Sequence, residues 1–145
     1  MSVFKNMNLF HLEIITQEKT LFKEEVESLY VSTIDGDITV LARHTPYVSV
    51  LKPGEIVIKK DGKEEPFTCT GGILEITPEK TVILADSAVR SDDIDEADAL
   101  KAKERAEKLM AGKLESRESA EVMASLERAL LHLNIAKKRR HHRGK

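Results

Sequence analysis

Val82-Ile83-Leu84-Ala85-Asp86-Ser87-Ala88-Val89-Arg90-Ser91-Asp92-Asp93-Ile94-Asp95-Glu96-Ala97-Asp98-Ala99 is the stretch in which the hydrophobic period changes. Upstream of it apolar residues alternate with polar ones: Phe10, Leu12 and Ile14; Val26, Leu29 and Val31; Ile38 and Val40; Val48 and Val50; Ile56 and Ile58; Ile73, Leu74 and Ile76; Val82 and Leu84. The runs are short and end in turn signals, Asp35-Gly36, Pro53-Gly54, Asp61-Gly62, Gly71-Gly72 and Thr77-Pro78. Such a cadence predicts an antiparallel β-sandwich or flattened barrel. Asp61-Gly62, between Ile56–Lys60 and Glu64–Thr68, is the clearest hairpin, because both residues tolerate the positive φ of a tight turn. Gly71-Gly72 predicts a bulge or sharp bend rather than a phosphate cradle.

Downstream the period is helical. Asp93 with Glu96 forms a capping pair, and Ala99, Ala102, Ala106, Leu109 and Met110 make a thin, alanine-rich stripe ending at Ala111-Gly112. A second helix is expected from about Ser116 to Arg139, with Met123, Leu126, Leu130 and Leu133 as its main stripe. Ala120, Ala124, Leu131 and Ile135 form another face. Two apolar faces call for two partners: either the first helix and the sandwich, or two docking positions of a mobile hairpin. The fold class is therefore α+β, an antiparallel β-sandwich over 1–89 followed by an antiparallel two-helix hairpin over 90–145.

Composition narrows the function. The chain has 145 residues, one of them cysteine, which excludes an internal disulfide framework and fits a reducing compartment. No run of 18 apolar residues occurs and the first ten residues lack a secretory pattern. There is no Walker-type loop and no dinucleotide fingerprint, and His11, His44, His132 and His141-His142 make no metal-ligand spacing with Cys69. Lys+Arg 23 against Asp+Glu 25 gives a net charge of -2, yet the last nine residues hold six Lys/Arg and no acid. This basic tail, Lys137 to Lys145, suits a helix C-terminus, an acidic protein partner, nucleic acid or an anionic membrane. Nucleic-acid binding through the tail is the alternative function, although 4% aromatic content offers little stacking surface.

Taken in order, Leu51-Lys52-Pro53-Gly54, Gly71-Gly72-Ile73-Leu74-Glu75, Val82–Ala88 and Asp93-Ile94-Asp95 resemble the epsilon subunit family of bacterial F-type ATP synthases over essentially the whole chain. The resemblance implies about ten strands in the sandwich and a non-catalytic rotor role in a proton-translocating synthase. The implied partners are the gamma subunit, the c-subunit ring, and the alpha and beta subunits of the catalytic hexamer. The implied place is peripheral, on the cytoplasmic face of the bacterial plasma membrane. It also implies that Asp37 and His44 lie on the ring side, in a loop where Thr39 replaces glycine and Ala42-Arg43 replaces Pro-Gly. The hairpin would fold beside the sandwich or extend and inhibit ATP hydrolysis, with Arg128, Lys137, Lys138, Arg139 and Arg140 facing the catalytic subunits. Ile94, Asp95, Ala99, Arg105 and Arg128 partly match a family ATP motif, but Asp98 stands where arginine belongs and His132 replaces another arginine. A carboxylate there removes a bidentate donor and repels triphosphate, so no cofactor is expected and ATP binding should be weak or absent.

Overall fold

The computed structural model describes residues 8–112 and 115–143; the side chains of Ser116 and of residues 141–143, including the His141-His142 pair, and the end of the basic tail lie outside them. The chain divides into two compact units, Met1–Asp92 and Asp93–Lys145. The first contains β1 (Phe10–Ile15), β2 (Thr20–Val26), β3 (Ser28–Thr33), β4 (Gly36–Val40), β5 (Tyr47–Leu51), β6 (Gly54–Lys60), β7 (Lys63–Cys69), β8 (Gly72–Ile76), β9 (Thr81–Ala85) and β10 (Ala88–Arg90). A 3-10 turn over Ser91–Asp93 follows. The second unit contains α1 (Glu96–Met110) and α2 (Ser116–Arg143).

The ten strands form one sheet, ordered β10-β7-β6-β3-β5-β8-β9-β1-β2 with β4 on β3. It curls until β2, one of its ends, comes back against β6. Glu27 N–H donates to Lys59 C=O at 2.8 Å, Gly62 N–H donates to the Glu27 carboxylate at 3.2 Å, and Lys60 pairs with Glu24. One pairing departs from the antiparallel expectation. β1 runs parallel to β9, from Leu12 opposite Thr81 to Ile15 opposite Leu84, because the chain returns to β1 after crossing the sandwich. The acidic run Glu24-Glu25 lies on β2, an end strand of the sheet, where exposed charge discourages pairing with other chains.

Alternate residues point inward. Leu12, Ile14, Val26, Leu29, Val31, Val40, Ile58, Phe67, Leu74 and Ile83 are completely buried. Phe22 meets Phe67 edge to face at 5.9 Å, while Arg90 covers the Phe67 ring and pairs with Glu65. The exit from the sheet is sealed by a buried bond of 2.8 Å between the hydroxyls of Thr68 and Ser91.

Two turns show why those residues are needed. Asp61 (φ 52) and Gly62 (φ 74) give the β6–β7 hairpin the positive-φ pair of a tight turn. At Gly72 the β8 backbone passes so close to β9 that a Cβ would sit 2.2 Å from the Leu84 carbonyl oxygen.

α1 begins later than the Asp93 capping pair predicts. Asp95 is the cap, its carboxylate accepting the N–H groups of Ala97 (2.8 Å) and Asp98 (3.2 Å), while Glu96 begins the helix proper. α1 ends at Ala111, whose N–H donates to Glu107 C=O. α2 runs to Arg143, beyond the expected Arg139, since nothing in Arg140–Arg143 breaks a helix.

The two helices pack against each other, with Ala99, Ala106, Ala129, Leu133, Ile135 and Ala136 buried. Their seam follows the expected stripes in part. Ala99, Ala106 and Leu133 are buried and Ala102 and Leu126 half-buried, whereas Met123, Leu130, Leu109 and Met110 are exposed and Ala129 and Ala136 are inside in their place. Small residues in the seam let the helices approach closely.

Gly72→Ala should lower stability by about 3 kcal/mol, as overpacking against backbone adds to an unfavourable φ. Urea unfolding would show this as a lower midpoint at an unchanged slope.

Candidate functional site

The loops at one end of the sandwich carry two of the residues singled out from sequence. Asp37 is on β4, paired with Ser32 of β3, and its carboxylate accepts the Tyr30 hydroxyl at 2.7 Å. That bond, with Ser32 adding to it, holds the Asp37 carboxyl below its ordinary pKa, and it raises the Tyr30 phenol against an opposing effect of Ser32. The neighbouring turn is cross-linked. Thr33 Oγ1 donates to Gly36 C=O at 2.8 Å, and Asp35 accepts the hydroxyls of Tyr47 and Ser49, each at 3.2 Å.

His44 lies beyond β4 in a turn closed by its own N–H to Leu41 C=O at 3.2 Å. Its Nδ1 donates to Thr45 C=O at 2.7 Å and its ring leans on Tyr47. Arg43 holds φ 62, the left-handed region that glycine would occupy without strain. Leu41 beside it is 56% exposed. A cleft of about 240 Å³ opens here, lined by Leu41, Arg43, His44, His11, Pro78 and Lys80. His11 bridges Glu13 (3.1 Å) and Glu25 (3.3 Å), and Lys80 also bonds Glu13 at 3.1 Å. The Lys80 ammonium is the main reason the Glu13 carboxyl is held below its usual value.

A second surface carries no residue that sequence reasoning singled out. On the outer face of β5, β8 and β9, Val50 pairs with Ile73 and Ile73 with Leu84, side by side across three strands. Val48 (65%), Val50 (47%), Ile73 (45%) and Leu84 (46%) are all exposed, and half-buried Ile15 continues the row on β1. At the ordinary strand spacing this apolar row spans roughly 14 Å. A signal existed in the sequence. Strands with one wet face alternate apolar and polar residues, whereas Val48 to Leu51 and Val82 to Ala85 have apolar residues on both faces.

In the helical unit folding accounts for some residues of the ATP motif and not for others. Asp95 is committed to capping α1, Ala99 is buried, Ile94 is half-buried, and Arg105 and Arg128 are exposed. Glu96 and Asp98 add negative charge to the same first turn. At the far end of α2, Lys137 and Lys138 are exposed and Arg139 is half-buried. Arg140 pairs with Glu96 at 3.1 Å, which brings the basic tail against the start of α1. His132 titrates below its ordinary value because it is partly buried, with Arg128 adding repulsion. Among the described residues no group of His, Cys, Asp and Glu could hold a metal, and no helix is long and apolar enough to cross a membrane.

Two family models cover nearly all of this architecture. The beta-sandwich domain of the ATP synthase Delta/Epsilon chain matches residues 9–91, and the long alpha-helix domain matches residues 92–137. The chain belongs to the ATP synthase Delta/Epsilon family. An ATP synthase epsilon chain from Dehalococcoides mccartyi (strain BAV1) is 42% identical over 90% of this chain and 94% of its own length. One from Herpetosiphon aurantiacus is 38% identical over 89% and 95%. The fold is also found in the mitochondrial ATP synthase of Euglena gracilis, at a TM-score of 0.64 and 24% identity over 82% of this chain and 76% of that one. A chain of the central stalk and c-ring structure from Tetrahymena thermophila matches at 0.53 and 14% identity, over 86% and 93%. Membership makes the protein a non-catalytic central-stalk subunit of an ATP synthase, peripheral to its membrane complex, and removes the grounds for reading the tail as a nucleic-acid module.

Tyr30→Phe should raise the Asp37 pKa toward the ordinary carboxylate value, readable in a carboxyl-carbon NMR titration. The sign follows from linkage. A depressed folded-state pKa contributes stability above the unfolded value and loses it as pH falls through the folded one. The variant should therefore show a weaker loss of stability on acidification.

Proposed function

We propose that the sandwich, residues 1–89, is the docking module of the rotor and that the hairpin, residues 90–145, is its regulatory arm. The carrying observation is the exposed apolar row Val48, Val50, Ile73 and Leu84, side by side on adjacent strands. A contiguous apolar face on a sheet is costly in water and gains by being covered. Gamma is the partner assigned to it. The Asp35–Pro46 end faces the c-subunit ring, with Asp37 as the acidic contact and His44 bracing the turn. This arrangement transmits proton-driven rotation of the ring to gamma, at the cytoplasmic face of a bacterial plasma membrane.

The hairpin acts on the alpha and beta subunits of the catalytic hexamer. Arg128 and the tail residues Lys137, Lys138, Arg139 and Arg140 provide cations for acidic segments of those subunits, and their engagement inhibits ATP hydrolysis. The exposed Leu100, Leu109, Met110, Met123 and Leu130 give an extended hairpin apolar surface to bury against them. No bound nucleotide takes part. Asp98 and Glu96 oppose triphosphate at the one helix N-terminus that would otherwise attract it.

Ile73→Asp or Leu84→Asp should weaken binding to gamma by at least about tenfold, the cost of burying an unpaired carboxylate. Either variant retaining full affinity in a pull-down titration would place gamma elsewhere. Truncation after Ala136 should relieve inhibition of hydrolysis by the reconstituted enzyme, with and without ADP. Calorimetry of the isolated subunit should detect no ATP affinity in the micromolar range.

A further inference from the structure

Glu96 and Arg140 occupy the last layer of the hairpin seam. On α1 the positions Glu96, Ala99, Lys103 and Ala106 are spaced three, four and three apart, and all are buried or half-buried. On α2 the positions Val122, Leu126, Ala129, Leu133 and Ala136 are likewise inside, and Arg140 continues their spacing. Every layer is apolar or small except those holding Lys103 and this terminal ion pair. Asp93, Asp95 and Asp98 share the start of the helical unit with Glu96, and Lys137, Lys138 and Arg139 precede Arg140 near the end of α2. The acidic cluster complements the helix N-terminus and the basic one suits a helix C-terminus, so each is placed for its own helix before the two meet.

We propose that the first turn of α1 is an internal surrogate for the acidic partner. It holds the basic tail by the Glu96–Arg140 pair and must release it before the tail engages the catalytic subunits. This proposal rests on the regulatory reading of the tail given above. The lock is electrostatic and shallow. Arg140 is mostly exposed, and a single exposed pair contributes little. A partner presenting several carboxylates at once therefore displaces it, and added salt weakens it within a Debye length of about 8 Å at 0.15 M.

The test uses the full-length subunit labelled at Ala97→Cys and Asn134→Cys, both exposed positions, with Cys69 buried away from reagent. In about 50 mM salt, Glu96→Lys should shift the label-to-label distance distribution toward separated helices. The swap Glu96→Lys with Arg140→Glu should restore the short distance, and Glu96→Gln should give an intermediate result. In the reconstituted enzyme Glu96→Lys should inhibit hydrolysis at roughly threefold lower concentration than the parent. Circular dichroism should show α1 intact in each variant. An unchanged distance distribution in Glu96→Lys overturns the lock, as does a changed distribution with unchanged inhibition. The regulatory reading fails separately, if the subunit truncated after Ala136 inhibits as well as the parent.

Discussion

A single sheet can enclose one core only if neighbouring strands come close enough to hold their registers, and the tightest approach among the glycines is at Gly72, the first residue of β8. The missing side chain at Gly72 lets β8 lie against the Leu84 carbonyl at a distance no Cβ would permit. From that approach follow the β8–β9 register, with Gly72 opposite Ala85, and the β5–β8 register, with Gly72 opposite Leu51. Those registers align Val50, Ile73 and Leu84 on the outside while Leu51, Leu74, Ile83 and Ala85 point in. The exposed apolar row and the buried core thus share one set of strand registers.

Much of this was legible in the chain. Turn residues marked the strand ends, since their backbone requirements are local, and the shift of period after Arg90 separated the two units. The parallel β1–β9 pair was not legible, because pairing between distant strands leaves no local mark. The helical seam was legible only in part, for a related reason. Leucines dominate a hydrophobic stripe by size, yet interhelical distance is set by the smallest residues in register, so Ala129 and Ala136 are buried while Leu130 is not. The site was legible unevenly. Asp37 and His44 were singled out through resemblance, whereas the exposed apolar row was not singled out because apolar residues in a strand read first as core.

The two units differ in what sustains them. The sandwich has large side chains fully excluded from water; the hairpin has mainly alanines, each burying roughly a methyl group against its neighbour. A helix pair with so thin a seam gains little from closing, so modest interactions at its surface decide its state. That is the property a regulatory arm needs and a structural module does not. Arg43 makes the complementary case in the sandwich. A left-handed arginine costs about 1–2 kcal/mol relative to glycine, which a well-packed domain absorbs.

The buried Thr68–Ser91 bond gives the boundary between the units a mechanical character. Ser91 is wholly inside the sandwich although it lies one residue from Asp92, where the first unit ends. Pulling on the following chain therefore loads a desolvated hydroxyl pair seated between β7 and β10 rather than a loose end. Fraying from the helical side therefore meets a buried bond before it reaches the strand registers of β7 and β10.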